Sequence, residues 1–231
     1  MTELHKAAEK GLTHVVLSLL ADGCDVNETD EEGLTPLLQA SKNNHLAVVQ
    51  LLLDNNADPD ARDKNGWTAL AWSREDLARI LIENGADVNA CTNHGQTSLF
   101  TAIYFGELNV AKMILEHGAD VNARDRNGVT PLLFATIEYH SGKDNRAKLL
   151  LDYGAKVNVK DCNGRTPLHN AACSGSDKVA KLLIKMGADV NAMDNEGKTP
   201  FDIAAAELGV IRVEAVMRLL ANKGGKSGGQ L

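Results

Sequence analysis

The chain has 231 residues, a formal net charge of −7 and a pI near 5.5, with 44% apolar but only 4% aromatic residues. That acidic balance argues against binding to nucleic-acid phosphates, which needs a dense basic surface, and no apolar run approaches the roughly 18 residues of a membrane helix. The N-terminus has no apolar core of a secretory signal, and the four scattered cysteines (Cys24, Cys91, Cys162, Cys173) lack paired spacing, so reduced thiols in a cytoplasmic setting are expected.

A phrase of the form Asp-x-x-Gly-x-Thr-Pro-Leu recurs around Gly33, Gly66, Gly95, Gly128, Gly164 and Gly197, at spacings of 33, 29, 33, 36 and 33 residues. A period of this length marks a repeat architecture. A second phrase, Gly-Ala-Asp-Val-Asn, stands in full at 85–89, 118–122 and 187–191 and in variant form at 23–27, 56–60 and 154–158. In each unit the first glycine suits a tight turn. The Thr that follows is a helix N-cap, and Pro at the first helical position lacks a donor that the helix end would not use. Apolar residues at i, i+3 and i+4 predict a second helix, and the second glycine ends it.

In chain order, residues 1–29 form an N-terminal cap that keeps Leu4-His5-Lys6-Ala7-Ala8 but lacks the preceding turn. Residues 30–62 start a helix at Thr35-Pro36 and close on Asn56, the residue after glycine best suited to that conformation. Residues 63–91 keep the cap at Thr68 without proline and are four residues short: Leu70 to Ile82 covers what Leu37 to Leu53 covers in the preceding unit. Four residues are close to one helical turn. The deletion is expected to fall in the first helix or the loop after it, leaving either a tolerated shortening or a notch beside Trp67 and Trp72. Residues 92–124 start at Thr97-Ser98 and carry Val110, Met113, Ile114 and Leu115 on the second helix; 125–160 start at Thr130-Pro131 and are three residues longer than the regular repeat, with 138–144 expected to loop out. Residues 161–193 start at Thr166-Pro167 and carry Val179, Leu182, Leu183 and Ile184; 194–223 start at Thr199-Pro200 and form a lengthened C-terminal cap. The Gly-rich stretch 224–231 is expected to be a flexible tail.

The segment Thr166-Pro167-Leu168-His169-Asn170-Ala171-Ala172, together with the Gly-Ala-Asp-Val-Asn close, resembles the ankyrin repeat. The resemblance covers about residues 1 to 223, as seven repeats including caps. It implies an all-α solenoid of stacked helix-turn-helix units with β-hairpin fingers at one edge. It also implies that a partner protein binds the concave groove made by finger tips and first helices. By the same resemblance His169 ties its turn together by hydrogen bonds, with His5 as its N-terminal counterpart. The finger asparagines Asn27, Asn89, Asn122, Asn158 and Asn191 hold the hairpins, and occupy the position that asparaginyl hydroxylases modify in similar eukaryotic proteins.

Mapping groove positions onto this chain gives Trp67 after the finger glycine, Tyr104 and Phe105 in the fourth repeat, Ile137 and Glu138 in the fifth, and Cys173 and Ser174 in the sixth; the facing of Trp72 is left open by the shortening. Aromatic anchors are typical of binding hot spots, although Phe105 and Trp72 could equally fill the core near the deletion. Finger charges run from acidic (Glu28, Asp30, Glu31, Glu32) to mixed and basic (Arg62, Lys64, Arg124, Arg126, Lys160, Arg165), a gradient that could orient a partner or only solvate an edge.

Cys91 and His94 lack a second ligand pair for zinc. Gly225-Lys226-Ser227 lacks the glycine and strand of a phosphate loop, and no nucleophile comes with an evident base. The expectation is therefore a monomeric protein-interaction scaffold or stoichiometric regulator, not an enzyme, with no cofactor, metal, nucleic acid or membrane. The alternatives are a host-directed bacterial effector module, or a small-ligand sensor or enzyme at the short third repeat.

Overall fold

The computed structural model describes residues 1–137, 143–206 and 211–231. Two compact units divide it, Met1–Asp120 and Val121–Leu231. The first contains α1 (Glu3–Glu9), α2 (Thr13–Ala21), α3 (Pro36–Lys42), α4 (Leu46–Asp54), a 3-10 turn (Ala69–Trp72), α5 (Glu75–Glu83), α6 (Ser98–Phe105) and α7 (Leu108–Glu116). The second contains α8 (Pro131–Ala135), α9 (Lys143–Asp152), α10 (Pro167–Cys173), α11 (Asp177–Lys185), α12 (Pro200–Ala206), α13 (Ile211–Asn222) and a 3-10 turn (Gly228–Gln230). These pair as seven helix-turn-helix units, compatible with the seven expected repeats.

Each unit is two layers. In the first, the short helices α1 and α3, the Ala69–Trp72 turn and α6 pack side by side, and α2, α4, α5 and α7 form the second layer behind them. The unit Val121–Leu231 repeats this with α8, α10 and α12 backed by α9, α11 and α13. Leu and Ala make the seam. Leu37, Leu38, Ala40, Leu52, Leu99, Ile103 and Ile114 are buried to 1% exposure or less in one unit, and Leu132, Leu168, Ala171, Ala172 and Leu183 in the other. Fully burying one such leucine is worth about 1.5–3 kcal/mol, and alanine lets neighbouring helices approach closely.

The expected helix caps form at Thr35, Thr130 and Thr166 but not at Thr68 and Thr97, the two starts without proline, whose side chains make no cap bond among the described residues. Thr35 and Thr130 Oγ1 accept from the N–H of Leu38 and Leu133, each at 3.3 Å. At Thr166, Nδ1 of His169 accepts from the backbone N–H (3.1 Å) and lies 2.8 Å from Oγ1, while Nε2 donates to the Lys198 carbonyl at 3.0 Å. A carbonyl can only accept, so the proton sits on Nε2. Burial pushes the His169 pKa down, opposed by that carbonyl and by Asp194, which keeps the ring in the neutral form this arrangement needs. His5 repeats the pattern between Thr2 and the Leu34 carbonyl.

The fingers differ from the expected β-hairpins. Among the described residues there is no strand, only an isolated antiparallel bridge between Cys91 and Thr97. A carboxylate holds the turn instead: Asp30 Oδ1 accepts from the N–H of Glu32 and Leu34, each at 2.9 Å, and Asp63, Asp125, Asp161 and Asp194 do the same. One backbone rung, Asp30 N–H to Leu34 O at 2.9 Å, closes each turn, which is too short for a ladder.

Asparagine fastens each finger to the next. Asn27 donates Nδ2–H to the Asn56 carbonyl (3.2 Å) and accepts from the Asp58 N–H (2.8 Å). Asn89, Asn122, Asn158 and Asn191 make the same double contact one repeat along. The second repeat has Asp60 here. It still accepts from Asp87 N–H at 2.8 Å but has no amide to donate. Burial first, then the nearby Asp87 and Asp58, raise its pKa.

The stretch 224–231, expected as a flexible tail, is instead tied to the last repeat. Gly224 O and Lys226 N–H take the two bonds of Asn191, as Gly187 O and Asp189 N–H take those of Asn158. Thr199 Oγ1 donates to Lys226 O (2.7 Å), and Asp202 Oδ2 accepts from Gly228 N–H (2.8 Å). Composition signalled glycine-rich freedom, but these glycines supply backbone groups that the last repeat would otherwise leave unpaired. The insertion also differs in extent: residues 143 and 144 begin α9 rather than looping out, and 138–142 lie outside the described residues.

Three predictions follow from these contacts. Asp60→Asn restores the missing donor and removes a charge repelled by Asp58 and Asp87; chemical denaturation at neutral pH is expected to show a gain of about 1 kcal/mol. Gly164 (φ +75°) and Gly197 (φ +76°) share a left-handed conformation, but a Cβ on Gly164 would meet the Asn195 backbone nitrogen at 2.8 Å, whereas one on Gly197 meets nothing within 4 Å. Gly197→Ala is expected to cost about 1–2 kcal/mol and Gly164→Ala clearly more, with equal denaturation midpoints refuting the contact argument. Burial alone would raise the Asp202 pKa, but N–H bonds from Thr199 and Gly228 outweigh it and hold the pKa at about 2, below the ordinary 3.8. Its stabilisation is therefore complete above pH 3.8 and is lost as pH falls through about 2. Thermal melts of Asp202→Asn and the parent chain should converge across that window.

Candidate functional site

In the unit Met1–Asp120 the four-residue deletion falls in the first helix. The 3-10 turn Ala69–Trp72 stands where neighbouring repeats have α3 or α6, while α5 keeps nine residues. The missing turn leaves a cavity of about 280 Å³, lined by Leu70, Ala71, Trp72, Arg74, Ala102 and Phe105 among others. Of the two outcomes the sequence left open, a tolerated shortening or a notch, this cavity matches the notch.

The aromatic residues sit around it. Phe105 is 65% exposed and Tyr104 45%, at the C-terminal end of α6, with their rings edge to face at 5.0 Å. Gly106 ends that helix in the left-handed conformation (φ 78°), which stops it just after the pair. Trp72 is half-buried in the cavity wall and leans on Trp67, ring centroids 6.4 Å apart. Lys42 Nζ lies 5.0 Å above the Trp72 ring, a cation–π distance. Trp67, read from the sequence as an exposed finger-tip residue, is half-buried, because the shortened helix leaves Trp72 as its neighbour. Phe105 does not fill the core; it stands at the rim.

In the unit Val121–Leu231, Ile137 is 36% exposed and lines a second cavity of about 260 Å³ with Leu133, Asp161, Arg165, Asn170 and Cys173. Asn170 Nδ2 donates to the Leu133 carbonyl at 3.3 Å and fixes that floor. Glu138, expected beside Ile137, lies outside the described residues.

The expected basic contacts divide. Arg62 donates to the Cys91 carbonyl at 2.7 Å and Arg124 to the Lys160 carbonyl at 2.6 Å, each reaching the following finger. Arg165 faces the buried Asp194 carboxylate at 3.9 Å. These three are spoken for by neighbouring repeats, whereas Arg126 is exposed without a bond or ion pair among the described residues. Side-chain reach, which sequence position does not encode, separates them. The finger asparagines expected as modification positions all have their amides engaged on both sides, as described above.

The two layers differ in surface chemistry. Every i,i+4 ion pair among the described residues falls on a second-layer helix: Glu75–Arg79, Lys112–Glu116, Lys148–Asp152, Asp177–Lys181 and Glu214–Arg218. Such exposed pairs contribute only about 0.3–0.5 kcal/mol each, but they mark a solvated face. The first-layer face carries instead Tyr104, Phe105 and Ile137. No group of three or more His, Cys, Asp or Glu side chains that could hold a metal occurs among the described residues, and none of their helices is long and apolar enough to cross a membrane.

A family model described as "Ankyrin repeats (3 copies)" matches residues 4–90, 71–125 and 133–228. Among solved structures, the ankyrin repeat domain of Bcl-3, described as a unique member of the IkappaB protein family, is similar at TM-score 0.81 with 27% identity, covering 96% of this chain and 98% of that one. The human ASB11 ankyrin repeat domain is similar at TM-score 0.80 with 25% identity, covering 94% and 97%. An ankyrin repeat domain from Acinetobacter baumannii AYE is similar at TM-score 0.75 with 28% identity, covering 80% and 98%. No curated protein matches the chain. With the period, the caps, the finger asparagines and the family match in agreement along most of its length, the chain belongs to the ankyrin-repeat family.

Proposed function

We propose that this chain is a protein-interaction scaffold or stoichiometric regulator. Its partner protein docks on the first-layer face of the unit Met1–Asp120, centred on Tyr104 and Phe105 with Trp72 at their side. The observation that carries this reading is the exposure of two adjacent aromatic rings, 45% and 65%, beside a preformed cavity. A soluble chain rarely leaves such a cluster in water without use, and aromatic side chains dominate interface energetics. Among the described residues the second layer exposes Leu17 on α2 but no adjacent aromatic pair. Ile137 and the cavity it lines offer a further contact surface on the other unit, with Arg126 as a free cation for an acidic group. The four free cysteines, three of them exposed, support a reducing compartment such as the cytosol.

The double substitution Tyr104→Ala with Phe105→Ala is expected to reduce capture of a native partner by at least about 100-fold, since each hot-spot truncation is worth roughly 2 kcal/mol or more. Helical circular dichroism should be unchanged, because both side chains project from the end of α6. Undiminished capture by the folded variant would refute the site.

A further inference from the structure

The notch has a shape and a charge that say what would fill it. Its apolar walls are Leu70, Ala71, Trp72, Ala102, Phe105 and Val110, with Ser98 and Thr101 among its polar lining, and its volume is about 280 Å³. Cofactor and drug-sized ligands occupy pockets of about 300–1,000 Å³, while a cavity of about 150 Å³ holds a benzene-sized ring. One large side chain fits; an extended cofactor does not. The void is also what a turn of the chain's own helix would occupy in a repeat of full length, so its complement is an apolar side chain standing on another backbone.

The charge at the wall is specific. Arg74 lines the cavity and Lys42 lies over the Trp72 ring. Neither forms an ion pair among the described residues, whereas Glu75, just beyond Arg74, is held by Arg79 at 3.7 Å and by Asn109 at 2.8 Å. Glu107 is the single acidic lining residue. Two cations without an ion pair among the described residues, against one lining carboxylate, at a well with a mainly apolar wall complement a carboxylate adjoining the buried side chain.

We infer that the notch at the shortened third repeat is a specificity pocket for one aromatic or leucine-like side chain, presented by an acidic segment of the partner protein. The inference rests on the groove reading above and deepens it: Tyr104 and Phe105 supply the rim, and the notch and its two cations select the sequence that binds.

The test uses short Gly/Ser peptides with a central Phe, flanked by Glu, by Lys or by Ser. Trp72 lines the cavity and the chain's other tryptophan, Trp67, lies 6.4 Å from it, so tryptophan emission reports binding directly. The Glu-flanked peptide is expected to shift the emission and to bind on the order of tenfold tighter than the Lys-flanked one, and replacing its Phe by Ala should abolish the shift. Thr101→Phe, which fills the cavity from its partly exposed wall, should block binding. Lys42→Gln with Arg74→Gln should erase the preference for Glu while leaving the Phe requirement. The proposal is overturned if no peptide shifts the emission, if the Lys-flanked peptide binds as tightly, or if the Ala-containing peptide still binds; none of these readouts depends on a variant folding. Native partner capture separates the two readings. Loss in the Tyr104/Phe105 double variant with no loss in folded Thr101→Phe overturns the notch and keeps the groove, whereas loss in neither overturns both.

Discussion

Each finger asparagine makes two bonds across a repeat boundary, and the order of both units depends on them. The amide accepts one N–H and donates to one carbonyl of the following turn, so it fixes both translation and rotation of the neighbour. A single hydrogen bond would leave a hinge. Net, each bond contributes about 0.5–1.5 kcal/mol, but the geometric effect is larger than the energy suggests. The leucine and alanine seam is greasy and tolerant of sliding; the amide pair sets the register in which it packs. In an array with mainly nearest-neighbour contacts, stability is close to a sum over repeats and their junctions, and this contact recurs at the junctions that carry a finger asparagine.

The chain departs from that rule in two ways, and they act differently. Asp60 keeps half of the clamp while adding a charge among carboxylates, so its junction holds register with less energy. The third repeat keeps its fingers but gives up a helical turn. Because the fingers and not the first helix carry the register, a turn can be lost without disturbing α5 behind it. The fold thus separates the part that aligns repeats from the part that displays side chains, and the display part is where length can vary.

Much of this was legible in the sequence. The period, the Thr-Pro helix starts and the closing glycines locate every helix pair, and Asn56 at a closing position adopts the left-handed φ of 65° that its glycine counterparts do. These signals are local and are set by backbone sterics, which a sequence states directly. The deletion was legible too, and so was the groove position of Tyr104 and Phe105 beyond the Ala102-Ile103 pair, but the sequence left Phe105 open between rim and core, and only the structure places it at the rim. What the sequence could not state is where long side chains end. Arg62 and Arg124 stand at finger positions that read as open, yet their guanidinium groups satisfy carbonyls 29 and 36 residues away. Trp67 reads as a tip residue and becomes half of a tilted aromatic pair only because the first helix of its repeat is short. Glycine composition likewise misdescribed 224–231, since composition records conformational freedom but not the waiting partners, Asn191, Thr199 and Asp202.

That last stretch has a wider meaning. Asn191 engages Gly224 and Lys226 through backbone atoms alone, with the same two bonds that its counterpart spends on a complete repeat. The recognition is blind to side chains. A stretch with no more than a 3-10 turn thus meets the same two bonds as one that leads into a helix pair, and what the clamp reads is backbone shape, not side-chain sequence. Repeats of differing sequence can therefore follow one another through the same kind of junction, because the clamp makes the same demand of every backbone it receives.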